Sequence, residues 1–221
     1  MPNPDVILKN QYYPMGLSKE SIKRYYELNK EKILDYIKTQ NTPCVLFMID
    51  DNNRLVVKRK IKDNLIYINN ENYENTFNGR VISAATELKP KTKKVIIDID
   101  CKNINTPEPE KTKVLSKCLD ILKTMHSEKF IHSKIPKIFL TSSGYHVHIV
   151  YYKDMAPPEL GAIFDVKFKD LNTDNIKFDF SIMRNRGSYT IPWCLNRNGL
   201  ICAEITKNWK TVKRSNYKIL Y

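Results

Sequence analysis

The run Val95-Ile96-Ile97-Asp98-Ile99-Asp100 constrains this chain more than any other stretch. Four β-branched residues interleave with two carboxylates, which reads as a buried strand. Side chains on a strand alternate faces, so Asp98 and Asp100 share one face while Ile97 and Ile99 take the other. Two like charges about 7 Å apart or less on a core strand are unfavourable unless cations neutralise them. Hard divalent cations prefer carboxylate oxygen, so the pair points to a Mg²⁺ or Mn²⁺ site. Taken alone, the same pair also fits a solvated strand end.

The 221 residues suit one domain or two tightly fused modules, and a hydrophobic content of 42% is enough for a core. Lysine and arginine number 37 against 24 acidic residues, a net charge of +13 with an isoelectric point of about 9.4. Such a balance suits a polyanionic partner, most simply nucleic acid, although a solubilising lysine-rich surface gives the same number. Five cysteines without a CxxC pair suggest neither a zinc ribbon nor a disulfide framework. Their odd count fits reduced thiols, with Cys118 acting as a small hydrophobe on a helical face. No apolar run approaches about 18 residues and no signal peptide opens the chain, so a soluble, cytoplasmic protein with no membrane partner is expected.

Ser18 to Gln40 reads as one helix capped by Ser18, with Ile22, Tyr25, Tyr26, Ile33, Tyr36 and Ile37 on one stripe. Strands are expected at Cys44–Ile49, Leu55–Ile61 and Leu65–Ile68, the first two joined by the Asp50-Asp51-Asn52-Asn53 turn. Val81–Leu88 reads as a short helix. A helix capped by Thr106 carries Val114, Leu115, Cys118, Leu122 and Met125. Lys137–Ser142 and His146–Tyr152 are strands around a tight Ser143-Gly144 turn, and Ile176–Ile182, Ser188–Pro192 and Leu200–Ile205 follow as strands. Hairpins with packing helices give an α+β fold, a mostly antiparallel sheet with helices on one face.

Two further constellations carry chemistry. In Thr141-Ser142-Ser143-Gly144-Tyr145-His146-Val147-His148 a strand delivers a Ser/Gly turn and the next strand opens with His-x-His. Backbone N–H groups in such a turn cradle phosphate, and His146 is placed to join them. A zinc pair at His146 and His148 lacks a nearby third ligand, and an ordinary hydrogen-bonded strand histidine is the alternative to a phosphate contact by His146. In Phe178-Asp179-Phe180-Ser181, Asp179 is a lone carboxylate on an aromatic-flanked strand, suited to complete an acidic triad around two metal ions. Arg184 and Arg186 follow in Arg184-Asn185-Arg186-Gly187; they suit a triphosphate, and equally a solvated basic loop.

Taken in order, these motifs resemble the archaeo-eukaryotic primase superfamily, whose marks are an hhDhD strand, an sxH hairpin and an hD strand, with h apolar and s small. Asp98 and Asp100 match the first, Gly144-Tyr145-His146 the second, and Phe178-Asp179 the third. Within the superfamily the chain is most similar to the polymerase domain of bacterial ligase D. Asn3-Pro4-Asp5, Tyr13-Pro14, Gly16-Leu17 and Tyr25-Tyr26 resemble its opening. Thr86-Glu87-Leu88-Lys89-Pro90 resembles its E-L-H-P segment, and Arg184-Asn185-Arg186-Gly187, Thr190 and Pro192-Trp193 its R-N-x-R-G-x-T-x-x-P-Y stretch. There are departures. Lys89 stands for histidine, and the second motif's turn is shorter and lacks a lysine. The arginine expected after the Pro-aromatic pair falls at Asn196 or Arg197. Of the lysines that hold a downstream 5′-phosphate in ligase D, Lys19 matches one, while Val6 replaces the other with Lys9 nearby.

The resemblance implies a single primase-polymerase catalytic domain over 1–221. Its parts would be an N-terminal α/β module over about 1–90 and an RRM-like catalytic half over about 91–221. It implies template-dependent addition of NTP or dNTP to a 3′-hydroxyl, with Asp98, Asp100 and Asp179 holding two Mg²⁺ or Mn²⁺ ions. Ser143, Gly144, His146, Arg184, Arg186 and Arg197 would bind nucleotide, and Lys9, Lys19 and Lys89 DNA. Partners would be template and primer and a separate ligase or end-binding protein. The alternatives are a primase that starts chains de novo, a metal nuclease using the same acids, and a basic nucleic-acid-binding module without catalysis.

Overall fold

A computed structural model describes residues 17–52, 54–102, 106–196 and 199–217. The chain divides into two compact units: one takes the described parts of Met1–Glu87, Ser188–Cys202 and Ser215–Tyr221, the other Leu88–Gly187 and Ala203–Arg214. The first unit begins with α1 (Lys19–Leu28) and α2 (Lys30–Gln40). Then come β1 (Cys44–Ile49), β2 (Leu55–Lys58), β3 (Lys60–Ile61), β4 (Asn64–Leu65), α3 (Tyr73–Thr76) and β5 (Val81–Glu87). The second unit holds β6 (Thr92–Cys101), α4 (Glu108–Ser127), β7 (Lys137–Leu140), β8 (Tyr145–Met155), α5 (Pro157–Phe168) and β9 (Ile176–Asp179). The last strand, β10 (Ser188–Thr190), returns to the first unit. The architecture is mixed α+β with antiparallel sheets, as expected.

In the first unit the sheet order is β10-β5-β1-β2, with β3 and β4 forming a separate ribbon. Tyr26 and Phe77 stack at 4.2 Å between ring centres, and the Tyr26 hydroxyl donates to the Ile82 carbonyl at 2.7 Å. The expected single helix over 18–40 is instead two. Asn29 ends the first, its side-chain amide donating to the Tyr25 carbonyl at 3.0 Å; a short amide side chain competes with the backbone ladder in this way. Val81–Glu87 is the sheet's second strand, not a helix. All seven residues are buried between β1 and β10, and two-sided burial outweighs the helix preference of Ala84 and Ala85.

The second unit runs β6-α4-β7-β8-α5-β9 with sheet order β7-β8-β6-β9, the split β-α-β arrangement of ferredoxin-like and RRM-like domains. One face is apolar: Ile97, Ile99, Tyr145, Val147, Ile176 and Phe178 are buried there. Helix α5 covers it, with Phe164 5.9 Å from Tyr151 and Phe168 5.5 Å from Phe178. Helix α4 points Val114, Leu115, Cys118, Leu122 and Met125 inward, as its spacing predicts. It starts one residue later than expected: Pro107 is its N-cap and Pro109 stands in its first turn. Residues 200–205 form only isolated bridges, Leu195 with Ile201 and Phe139 with Glu204. No described helix is long and apolar enough to cross a membrane.

Candidate active site

The face of the β6 sheet opposite its apolar face carries the polar side chains. Asp98 stands directly opposite His146 of β8 on one side and Asp179 of β9 on the other. Three short motifs separated by tens of residues therefore meet in a single row across three adjacent strands. Asp98 sits where the strand's alternation leaves no choice: its neighbours Ile97 and Ile99 are fully buried on the other face.

Burial, followed by the charges of Asp100 and Asp179, pushes the Asp98 carboxyl up to about 8. Burial pushes the His146 imidazole down to about 4. His146 Nε2 lies 3.5 Å from Asp98 Oδ1. Both shifts disfavour the charged forms, the opposite of what a stabilising ion pair between the two would produce. His146 Nδ1 is buried with no hydrogen-bond partner among the described residues, an arrangement that needs a reason.

Asp100 lies one row along, opposite Lys177. It accepts a hydrogen bond from Ser143 Oγ at 2.7 Å, so the Ser-Gly turn touches the acidic strand. Gly144 makes that approach possible, since a Cβ there would run into the Ile99 carbonyl oxygen. Asp179 Oδ1 accepts the Ser181 N–H at 2.6 Å, and its Oδ2 lies 3.7 Å from Lys177 Nζ. Beside it opens a cavity of about 330 Å³ lined by Gly161, Asp165, Lys177, Ser181 and Met183 among others.

No three His, Cys, Asp or Glu side chains among the described residues are already drawn into a cage. The donor set nonetheless fits a hard divalent cation. Three carboxylates fall in two adjacent rows, two are oriented by Ser143 and Ser181, and the third holds a proton that a cation would displace. A zinc pair at His146 and His148 does not fit. His148 is buried against Phe139, ring centres 4.5 Å apart, and a third ligand is missing among the described residues.

Arg184 and Arg186 are exposed on the turn after β9, where Arg186 has φ 57°. Among the described residues no ion pair joins Arg184 to the three carboxylates. Lys89 is exposed just after β5, and Lys19 is exposed at the first position of α1 in the other unit. Lys9 and Arg197 lie outside the described residues. One lysine escaped the sequence reading. Lys94 shares the parity of Asp98 on β6 and is half-buried; burial, then the charges of Lys137 and Lys89, pushes its ammonium down to about 7. The same alternation that pairs Asp98 with Asp100 was the signal for it.

No protein-family model and no curated protein matches the chain. Among solved structures, the polymerase domain of Mycobacterium tuberculosis ligase D in complex with DNA is similar in fold, with a TM-score of 0.65 over 94% of this chain and 88% of that one. Sequence identity is 10%, so the likeness is one of fold. It is the fold that the short motifs imply.

Proposed function

We propose that this protein is a template-dependent nucleotidyltransferase of the primase-polymerase type, filling gaps during end joining. One observation carries the reading: Asp98 lies in a row with Asp179 and His146, and the Ser143 turn is bonded to Asp100 in the next row. The likeness to a polymerase domain solved with DNA supports a nucleic-acid template, as does the net charge of +13.

In this reading a primer 3′-hydroxyl attacks the α-phosphate of an NTP or dNTP. A P–O bond forms to the primer as its hydroxyl proton passes to solvent, the bond to the β-phosphate breaks, and pyrophosphate leaves. Asp98, Asp100 and Asp179 would hold two divalent ions, Mg²⁺ or Mn²⁺. Bound there, the ions supply charge stabilisation for the attacking and leaving oxygens. The Ser143–Gly144 turn and His146 orient the triphosphate. Arg184, Arg186 and Arg197 neutralise its charge. Lys94 and Lys89 add positive potential on the same unit. Primer extension on gapped, 5′-phosphorylated and single-stranded templates, with each nucleotide type, tests the proposal. No extension on any template with Mg²⁺ or Mn²⁺ would sink it, and unprimed dinucleotide synthesis would move it to a primase.

His146→Ala is expected to weaken binding of a fluorescent NTP by about tenfold, the scale of a lost hydrogen bond to a charged group, and DNA binding by less than about twofold. An unchanged NTP affinity would leave His146 as a strand residue only.

Lys19 tests the pathway. The hydroxyl of Ser18 already takes the Ser21 N–H at 3.0 Å, and Glu20 puts negative charge in the same turn. A 5′-phosphate there depends on the Lys19 ammonium more than on the helix dipole. The wild type should prefer gapped DNA bearing the phosphate, and Lys19→Ala should lose most of that preference. A wild type indifferent to the phosphate removes the end-joining role and leaves nucleotide addition intact.

A further inference from the structure

The turn that carries Ser143 is held from behind by a residue 70 positions downstream. Arg214 Nη2 donates to the Gly144 carbonyl at 2.9 Å and Nη1 to the Thr141 carbonyl at 3.3 Å. The carbonyls that bracket Ser142 and Ser143 thus meet on one guanidinium. Inside the turn, the Gly144 N–H donates to Thr141 Oγ1 at 2.9 Å. Arg214 also lies against Glu108 of α4, whose Oε1 is 2.9 Å from its Nε in an ion pair without hydrogen-bond geometry, and against the Tyr145 ring, 5.0 Å from the guanidinium carbon.

Arg214 shares its carboxylate with a second cation. Glu108 Oε1 also lies 3.0 Å from Lys111 Nζ. The Lys111 side chain is 4% exposed and that of Arg214 11%, so two nearly buried cations share one carboxylate. A neutral donor would have satisfied the two carbonyls without this charge, and a lysine lacks the planar fork that reaches both at once.

We infer that Arg214 is a positioning residue of the nucleotide site: its fork fixes the Ser143–Gly144 turn, and with it Ser143 Oγ on Asp100, so that the turn meets an incoming phosphate already formed. The inference rests on the nucleotidyltransferase reading for the identity of that phosphate, while the positioning itself does not. Preorganised groups bind without the ordering cost that a loose turn would add. Arg214 touches no reacting atom; its effect passes through Ser143.

The experiment compares wild type, Arg214→Ala and Arg214→Lys. Three quantities are read: KM and kcat for dNTP in Mn²⁺, affinity for template DNA, and hydrogen exchange in a peptide spanning 141–148. For Arg214→Ala, KM for dNTP is expected to rise about tenfold or more, the scale of lost charge-assisted hydrogen bonds, with DNA affinity held within about twofold. Exchange in the 141–148 peptide should speed up while α4 and α5 stay protected. Arg214→Lys should recover part of the KM loss, because an ammonium still holds one carbonyl. An unchanged KM with unchanged exchange overturns the inference. So does a parallel loss of dNTP binding, DNA binding and protection across the whole unit, which would mark Arg214 as general scaffolding. If Arg214→Ala does not fold, Arg214→Lys carries the same comparison. A wild type that adds no nucleotide sinks the functional reading alone, and the exchange comparison still decides the positioning.

Discussion

Replacing Asp98 by asparagine is expected to cut nucleotide addition by on the order of 10³-fold or more and, in the metal-free protein, to make the fold harder to unfold at neutral pH. Both effects have one origin. Asp98 is buried beside Asp100 and Asp179, which raises its carboxyl from an ordinary 3.8 to about 8 in the folded state. Over that pH range the folded protein keeps a proton that the unfolded chain releases. The stability contribution of Asp98 is therefore complete below about pH 4 and is lost as pH rises through 8. Asparagine carries no such liability. The gain at pH 7 is at most on the order of 4 kcal/mol, the full linkage of that shift. Thermal unfolding of both proteins from pH 4 to 9, without divalent ions, checks it. The gap in Tm should be near zero at pH 4, grow towards pH 8 and then level. Adding Mn²⁺ should stabilise the wild type and not the variant, since only a ligand bound to the folded state shifts the equilibrium. A folded Asp98→Asn protein that extends primers like wild type removes the catalytic reading. A Tm gap independent of pH removes its electrostatic basis.

What was legible in the sequence follows from how local each signal is. The strand evident at Val95–Asp100 lies inside the observed Thr92–Cys101, because four β-branched residues leave few alternatives and alternation assigns the faces. The Ser-Gly turn was legible for a similar reason: Gly144 is needed where backbone meets backbone. Adjacency was less accessible. Asp98, His146 and Asp179 share a row only because the sheet order is β7-β8-β6-β9, and motif order along a chain does not contain strand order. The errors have tertiary causes. Val81–Glu87 carries two alanines and reads as helix until its burial on both faces is known. Helix α5 went unread because Pro157, Pro158 and Gly161 resemble breakers; the prolines occupy its first turn, where no N–H is required. Arg214 left no trace, since it is 70 residues from the carbonyl it holds.

Gly144→Ala is expected to damage the protein more than any change at the exposed end of the turn. A Cβ at this position would overlap the Ile99 carbonyl oxygen on β6, and β6 cannot give way: Ile99 is paired on both sides, with Tyr145 and with Phe178. The turn must therefore lift. Its lifting breaks the Ser143 to Asp100 hydrogen bond and pulls the Gly144 carbonyl from Arg214. Overpacking of this kind destabilises by about 1–3 kcal/mol. The effect on activity is expected to be larger in proportion, about 10²-fold in kcat/KM, because a displacement of about 1 Å in a positioning element is enough for that. Ser143→Ala removes the same hydrogen bond and leaves the backbone in place, so its loss should be smaller, about tenfold. The two variants together separate the hydroxyl from the turn that presents it. Equal losses would place the whole effect in the serine, and a Gly144→Ala protein as stable and as active as wild type would show that the close approach of the turn to β6 is not required.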